Sequence, residues 1–249
     1  MKDFFAWLFS EHTSDLQIGL FDIWHFTYLT VIFGGTLLLS LLVRSEKARQ
    51  RTLKLFAYLV IGLYLADFFI MPLSDSYSGI SAYKLPFNIC TIMAVMVPFV
   101  QFNPKFKPVK TTVTVLSIAS SVMWMCYPGT ALGGQPPFCY VIFQTFMYHS
   151  FLFGWGVLNL AYGQVILDWR KIWKELVGIL MILVWASFGN AVYDRGYNWF
   201  FIETSIFPFL SDEIMPFMVV FCVFGTSFVI YCAYFAIRAL TNKKKVKAA

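Results

Sequence analysis

A chain of 249 residues that is 59% hydrophobic and 20% aromatic but only 13% charged is not an ordinary soluble domain, in which about a quarter of residues are charged. Its apolar residues come in long uncharged runs, the mark of a protein that crosses a bilayer several times. The formal net charge of +6 is no nucleic-acid signal, because the basic residues sit in the short breaks between those runs.

In chain order, the opening MKDFFAWLF is too short to cross and is expected in the membrane interface. Seven runs long enough to span follow, at about 18–43, 53–71, 85–102, 109–127, 138–162, 172–193 and 214–240. The breaks carry turn and charge signals: RSEKARQR, SDSYSG, NPKFKP, PGTALGGQPP, DWRK and DRGYNW. The first run starts beyond residue 15 without a small-residue cleavage site, so it reads as a retained span and not as a signal peptide. No internal repeat and no second domain is visible. The expected fold is all-α: a polytopic membrane protein with seven transmembrane helices in one domain, 1–249, ending in a basic tail at 241–249.

Lys2, Lys84 and Arg195 apart, all 19 Lys and Arg residues fall in or beside one set of loops and the tail. Basic residues stay on the cytoplasmic side. The C-terminus is therefore expected in the cytoplasm and the N-terminus outside, which an odd number of spans satisfies. The tail NKKKVK also suits an anionic inner leaflet.

With that orientation the polar residues inside spans fall mostly at one depth. Asp22 and His25 lie early in the first run, Asp67 late in the second, and Asn88 and Cys90 at the start of the third. Gln144 and His149 lie in the first half of the fifth, Asn190 ends the sixth, and Asn198 and Glu203 follow it. The inner half is nearly free of such groups, Asn159 being the main exception. An ionisable group at the bilayer centre costs about 2.5–3.5 kcal/mol on insertion scales, so such groups face a bundle interior or a wet cavity. The expectation is one polar pocket open to the outside.

Each residue also has a plainer reading. Cys90, Cys126, Cys139, Cys222 and Cys232 match no zinc or CxxC spacing, and a cysteine is often just a small buried hydrophobe. Cys126 and Cys139 flank an outer loop and are a candidate disulfide. His149 could be a structural histidine on a backbone carbonyl. Asp22 and His25, at i and i+3, could satisfy each other, and Asp67 could simply be hydrated. Three dispersed histidines, His12, His25 and His149, make a zinc site unexpected, and no metal or nucleotide motif points to an obligatory cofactor.

A thiol buried in lipid is inert unless an imidazole can take its proton. Cys90 lies about 7 Å along a helix axis from residue 85, and His149 about 16 Å from residue 138. The two depths match within the uncertainty of helix ends. They fall below the outer headgroups, where a phospholipid carries its ester carbonyls. That position suits acyl transfer: the thiolate attacks the ester, a thioester forms, and a second nucleophile collects the acyl group. Asn88 or Asn198 is a candidate oxyanion donor. Asn88 and Cys90 are about 200° apart on a regular helix, so they share a face only if Pro86 distorts the turn.

KLPFNIC resembles the LPLHLC or LPLNPC segment of the YwaF family of integral membrane proteins, which is related to eukaryotic transmembrane protein 164. FMYHSFLFGWGVL resembles that family's GHGLLVLAPLYL, with His149 at its histidine. DRGYNWFFIE resembles GANYMFL, with Gly196 and Asn198 in place, and IMPFMVV resembles WPWYIL, with Pro216 in place. WHFTYLTVIFG fits the first span more loosely. The resemblance implies a seven-span fold in a membrane, the bacterial plasma membrane for the bacterial branch. For the eukaryotic branch it implies a phospholipid acyltransferase using a membrane cysteine and histidine, here Cys90 and His149. This chain departs at Tyr148, where the family has Gly, at Asn88, where many bacterial members have His, and at Trp199 in the Asn-Tyr pair.

The leading expectation is a lipid acyltransferase or transacylase, or a lipase if water is the acceptor. Cys90 is the nucleophile and His149 the general base, then acid. Asn88, Asn198, Gln144, Asn190 and Glu203 are candidate substrate or oxyanion ligands, and Asp22, His25 and Asp67 weaker pocket members. Membrane phospholipids are the expected partners, with no nucleic acid and the oligomeric state open. A small-molecule transporter and a seven-helix ligand-binding or scaffold protein without catalysis are the rivals. The transporter is disfavoured because polar residues stop halfway and no repeat or paired broken helices are visible.

Overall fold

The structure, a computed structural model, describes residues 17–73, 84–128, 136–193, 197–205 and 210–247, with side chains through 241. The interfacial N-terminal stretch, Arg195 and Gly196 lie outside these residues, as do the side chains of the basic tail beyond 241. Among the described residues there are seven α-helices: α1 Ile23–Leu42, α2 Glu46–Ile70, α3 Ile89–Phe102, α4 Lys110–Cys126, α5 Tyr140–Ala161, α6 Trp173–Val192 and α7 Met215–Lys247. Six are long and apolar enough to cross a membrane. The seventh, α3, is shorter, at 14 residues.

The boundaries have local causes. Asp22 caps α1 by accepting from the His25 amide, and Ser45 caps α2 by accepting from the Ala48 amide. Asn103 turns the chain after α3 into the 3-10 segment Pro104–Val109 by accepting from the Lys105 amide. The third apolar run yields only a short helix because Leu85-Pro86 favours extended backbone and Asn88 stays extended at φ −88°, ψ 149°.

Two ends of the bundle can be told apart by contacts. At the basic end, the Tyr162 hydroxyl donates to Leu39 O, Gln164 donates to Glu46, and the Arg49 guanidinium lies over the Tyr162 ring. At the opposite end, His25 meets Met125 O, Tyr28 donates to Pro137 O, and Lys84 pairs with Asp67.

Helix α4 is the buried centre, with all its residues from Val113 to Ser121 inside the protein. It packs on α3, α5, α6 and α7, while α1 rests on α5. Gly156 lets α5 close on α4, since a Cβ there would fall 2.5 Å from Ile118 Cγ1 and 3.0 Å from Thr114 O. The outward faces of α1, α6 and α7 expose large apolar side chains such as Val31, Val184 and Phe217, as lipid contact requires.

Candidate functional site

The site is built around the non-helical approach to α3. Asp67, in the last turn of α2, is 2% exposed. Its Oδ2 lies 2.7 Å from Lys84 Nζ, and its Oδ1 accepts from the Tyr140 hydroxyl at 2.9 Å. The Tyr64 hydroxyl donates to Lys84 O at 2.8 Å. Asp67 is thus a buried ion-pair partner and not a hydrated surface group. Together these bonds tie 84–88 to α2 and α5.

Asn88 makes no capping bond to its own helix. Its Oδ1 accepts instead from the Phe200 amide at 2.7 Å. The geometry assumed for a helical Asn88 does not apply, because it precedes the helix. On the other side of the same loop, Asn190 of α6 accepts from the Trp199 amide at 2.9 Å and donates to Trp199 O at 3.1 Å. Two amides from two helices thus hold the turn Trp199–Phe201. Its backbone is left-handed at Asn198 (φ 44°), Phe200 (59°) and Phe201 (55°), which costs about 1–3 kcal/mol per bulky residue. Asn198 spends its whole side chain within the loop: Nδ2 donates to Thr204 O and Oγ1, and Oδ1 accepts from the Glu203 and Thr204 amides. No donor on it is left for a substrate. Glu203 is exposed beside it.

Cys90 lies in the first turn of α3, partly exposed. The Tyr148 hydroxyl donates to its carbonyl at 2.5 Å, and Ser120 of α4, whose hydroxyl donates to Ser117 O at 3.4 Å, lies beside its thiol. The amides of a helix's first turn have no acceptor within the helix, and Asn88 does not supply one. The first turn of α3, which carries the thiol, therefore has no side-chain cap from Asn88.

His149 is 4% exposed on α5. Nδ1 lies 2.8 Å from Thr145 O; a carbonyl only accepts, so Nδ1 carries the proton. Nε2 is buried with no hydrogen-bond partner among the described residues. The ring stacks on Trp124 of α4 at 4.0 Å and 6°. Ser120 and Trp124 are one turn apart on α4, so the thiol from α3 and the imidazole from α5 reach neighbouring positions of one helix. No hydrogen bond joins them directly.

The remaining sequence candidates have structural partners. Asp22 accepts from the Gly19 and His25 amides, so it bonds the backbone of His25 and not its ring. His25 meets the Phe21 amide through Nδ1 and Met125 O through Nε2. Gln144, 3% exposed, donates to Leu63 O at 3.2 Å and accepts from the Thr145 hydroxyl. Cys126 and Cys139 are not joined by a disulfide; Cys126 is exposed and Cys139 buried.

The expected scarcity of polar groups towards the basic end needs correction. Asn159, the expected exception, is joined there by buried Thr114 and Glu175; among the described residues a side-chain oxygen of each lacks a partner, and the Tyr231 hydroxyl donates to Glu175 Oε1 at 2.9 Å. Ser120 and Trp124 are not legible as site residues in the sequence, and Lys84 and Tyr148 stand out there only as an outer basic residue and a departure from the family's Gly. Among the described residues no group of three or more His, Cys, Asp or Glu side chains could hold a metal ion.

A family model described as TMEM164 family matches residues 20–237. No curated protein and no solved structure matches the chain.

Proposed function

Because the chain belongs to the TMEM164 family, we propose that it is an integral membrane acyltransferase acting on phospholipid acyl chains through Cys90 and His149. The observation that carries this reading is the buried Nε2 of His149, without a hydrogen-bond partner among the described residues, on a ring stacked against Trp124, one turn of α4 from Ser120 beside the Cys90 thiol. A buried acceptor without a donor costs about 1–3 kcal/mol, and such groups are kept where chemistry uses them.

In this mechanism the thiol turns from Ser120 to His149 and gives Nε2 its proton as the sulfur attacks a lipid ester carbonyl. The carbonyl oxygen becomes an oxyanion beside the first-turn amides of α3, which point at it with the positive end of the helix dipole. Collapse breaks the ester C–O bond. His149 returns the proton to the departing alkoxide, leaving a lysolipid and a Cys90 thioester. An acceptor hydroxyl then loses its proton to Nε2, attacks the thioester, and expels the sulfur, which is reprotonated. Water in that role makes the protein a lipase. The Thr145 carbonyl keeps the imidazole in the tautomer both steps need. The basic end faces the cytoplasm, α3 with its non-helical approach completes a seventh crossing, and the site opens to the outer leaflet.

Intact-protein mass spectrometry with and without hydroxylamine tests the reading. A hydroxylamine-labile acyl mass after incubation with mixed phospholipids, absent in Cys90→Ala, is expected. Unchanged lipid turnover in folded Cys90→Ala sinks it.

A second reading, a transmembrane path for a small polar solute, is favoured by the buried Asn159 and Glu175 towards the basic end. It predicts solute flux into vesicles that falls in Glu175→Gln and survives Cys90→Ala. The acyltransferase predicts no solute flux, and lipid turnover that is lost in Cys90→Ala.

A further inference from the structure

A base that takes a proton becomes an imidazolium, and His149 has no acid beside it to steady that charge. Among the described residues neither ring nitrogen meets a carboxylate: Nδ1 donates to Thr145 O at 2.8 Å, and Nε2 has no partner. The third member of a triad, which orients the base and stabilises its charged form, is thus absent among them. The titratable groups around the ring do not fill that role. Cys90 is the source of the proton, and Tyr148 gives its hydroxyl to Cys90 O. Asp67 is closed on Lys84 at 2.7 Å and on the Tyr140 hydroxyl. His25 meets the Phe21 amide and Met125 O. At 4% exposure His149 has almost no contact with water either, and a buried charge needs a partner.

What lies against the ring is Trp124. The indole of α4 and the imidazole of α5 are 6° from parallel, with centroids 4.0 Å apart. A cation within about 6 Å of an aromatic face is attracted to it, and tryptophan offers the strongest face. A parallel stack covers the face of the imidazole and leaves its edge free. Both nitrogens lie on that edge, one for Thr145 O and one for an incoming proton. The pose is fixed on each side. Trp124 packs at 72° on the fully buried Phe146, 5.2 Å away, and Tyr148 stands at 85° to His149, 4.8 Å away.

We propose that the π face of Trp124 stabilises the imidazolium of His149 during acyl transfer, in place of a triad acid. This rests on the acyl-transfer reading and adds to it the group that makes the base work. As the Cys90 S–H bond breaks, an N–H bond forms at Nε2, and the positive ring is balanced by the oxyanion on the lipid carbonyl. The charge leaves the ring when the proton passes to the departing alkoxide. The attraction is weak for the resting, neutral ring and strong only while the charge exists, so it raises the rate and leaves lipid binding alone. Trp124 is a positioning residue, acting through His149.

The test uses the full-length protein with tryptophans bearing one to four ring fluorines placed at position 124 alone, the other tryptophans unchanged. Fluorine weakens the π face with little change of shape, so a packing role is indifferent to it. Vesicles of phosphatidylcholine, phosphatidylethanolamine and phosphatidylglycerol supply the ester, and single-turnover mass spectrometry reads the thioester on Cys90. The logarithm of the acylation rate should fall in step with the number of fluorines, by about ten- to thirtyfold over the series, with KM and Tm unchanged. Trp124→Leu should lose at least as much, and Trp124→Phe less. A rate that is flat across the fluorine series overturns the proposal, even where Trp124→Leu is slow, because that loss then comes from packing. A rise in KM at constant rate overturns it as well, by assigning Trp124 to lipid binding. No thioester in the wild type overturns the acyl-transfer reading itself, and this proposal with it.

Discussion

The side-chain oxygen of Asn88 accepts from the amide of Phe200, 112 positions along the chain, and makes no capping bond to the helix that Asn88 precedes. An asparagine at that position ordinarily caps its own helix, a bond whose loss costs about 1 kcal/mol. Here the cap is exchanged for a bond between two distant segments. The first turn of α3 is left open beside Cys90, and a strained loop is pinned over it.

The loop depends on Asn190 from the other side. Asn190→Ala removes its two hydrogen bonds to the backbone of Trp199, whose side chain is fully buried. A typical hydrogen bond contributes about 0.5–1.5 kcal/mol. Thermal unfolding in detergent, followed by tryptophan fluorescence, should show a clear drop in Tm. Asn190→Asp, which keeps one acceptor, should lose less.

The Lys84–Asp67 pair should behave as a unit. Breaking a fully buried pair costs about 3–5 kcal/mol. The Lys84 side chain is 20% exposed, so about 1–3 kcal/mol is the expectation for Lys84→Met. Asp67→Asn keeps a partner for Tyr140 and removes the stranded charge. The double variant should therefore be more stable than Lys84→Met alone, a non-additivity read from a double-mutant cycle.

His149→Ala should slow thioester formation about a hundred- to ten-thousand-fold with little change in lipid binding. Cys90→Ser should form no hydroxylamine-labile adduct. Single-turnover mass spectrometry measures both. A ligand-binding protein without catalysis would tolerate either substitution.

Gly189→Ala tests how tightly the approach to α3 is held. The added Cβ would fall 2.5 Å from Phe87 Cδ1, and that ring is packed against Trp185 at 5.2 Å and Trp199 at 4.8 Å. Alanine gains up to about 1 kcal/mol in helix propensity. Overpacking costs about 1–3 kcal/mol, so the clash wins and Tm should fall.

Composition and apolar runs made the helices legible, because membrane spans are long and every backbone group must bond within its own helix. The third run shows the limit: Leu85-Pro86 and Asn88 are readable as a break, but only the contact with Phe200 explains why the helix can start so late. Cys90 and His149 stood out as polar residues in apolar runs and through a family resemblance. Ser120 and Trp124 did not, since a serine and a tryptophan in a membrane helix look like packing. Asp67 and Lys84 lie 17 positions apart, across a loop, and no periodicity links them. Glu175 was overlooked because it follows the charged break DWRK, where an acid looks like loop.

The length of α3 carries a last consequence. Fourteen residues rise about 21 Å, against a hydrocarbon core of about 30 Å. The Tyr64 hydroxyl, nearly two turns before the end of α2, reaches Lys84 O, so the polar backbone of the approach to α3 lies beside the body of a neighbouring helix. On the acyl-transfer proposal, activity should track the thickness of the host bilayer: short-chain membranes would bring ester carbonyls down to the thiol, and thick, sterol-stiffened ones would hold them out of reach.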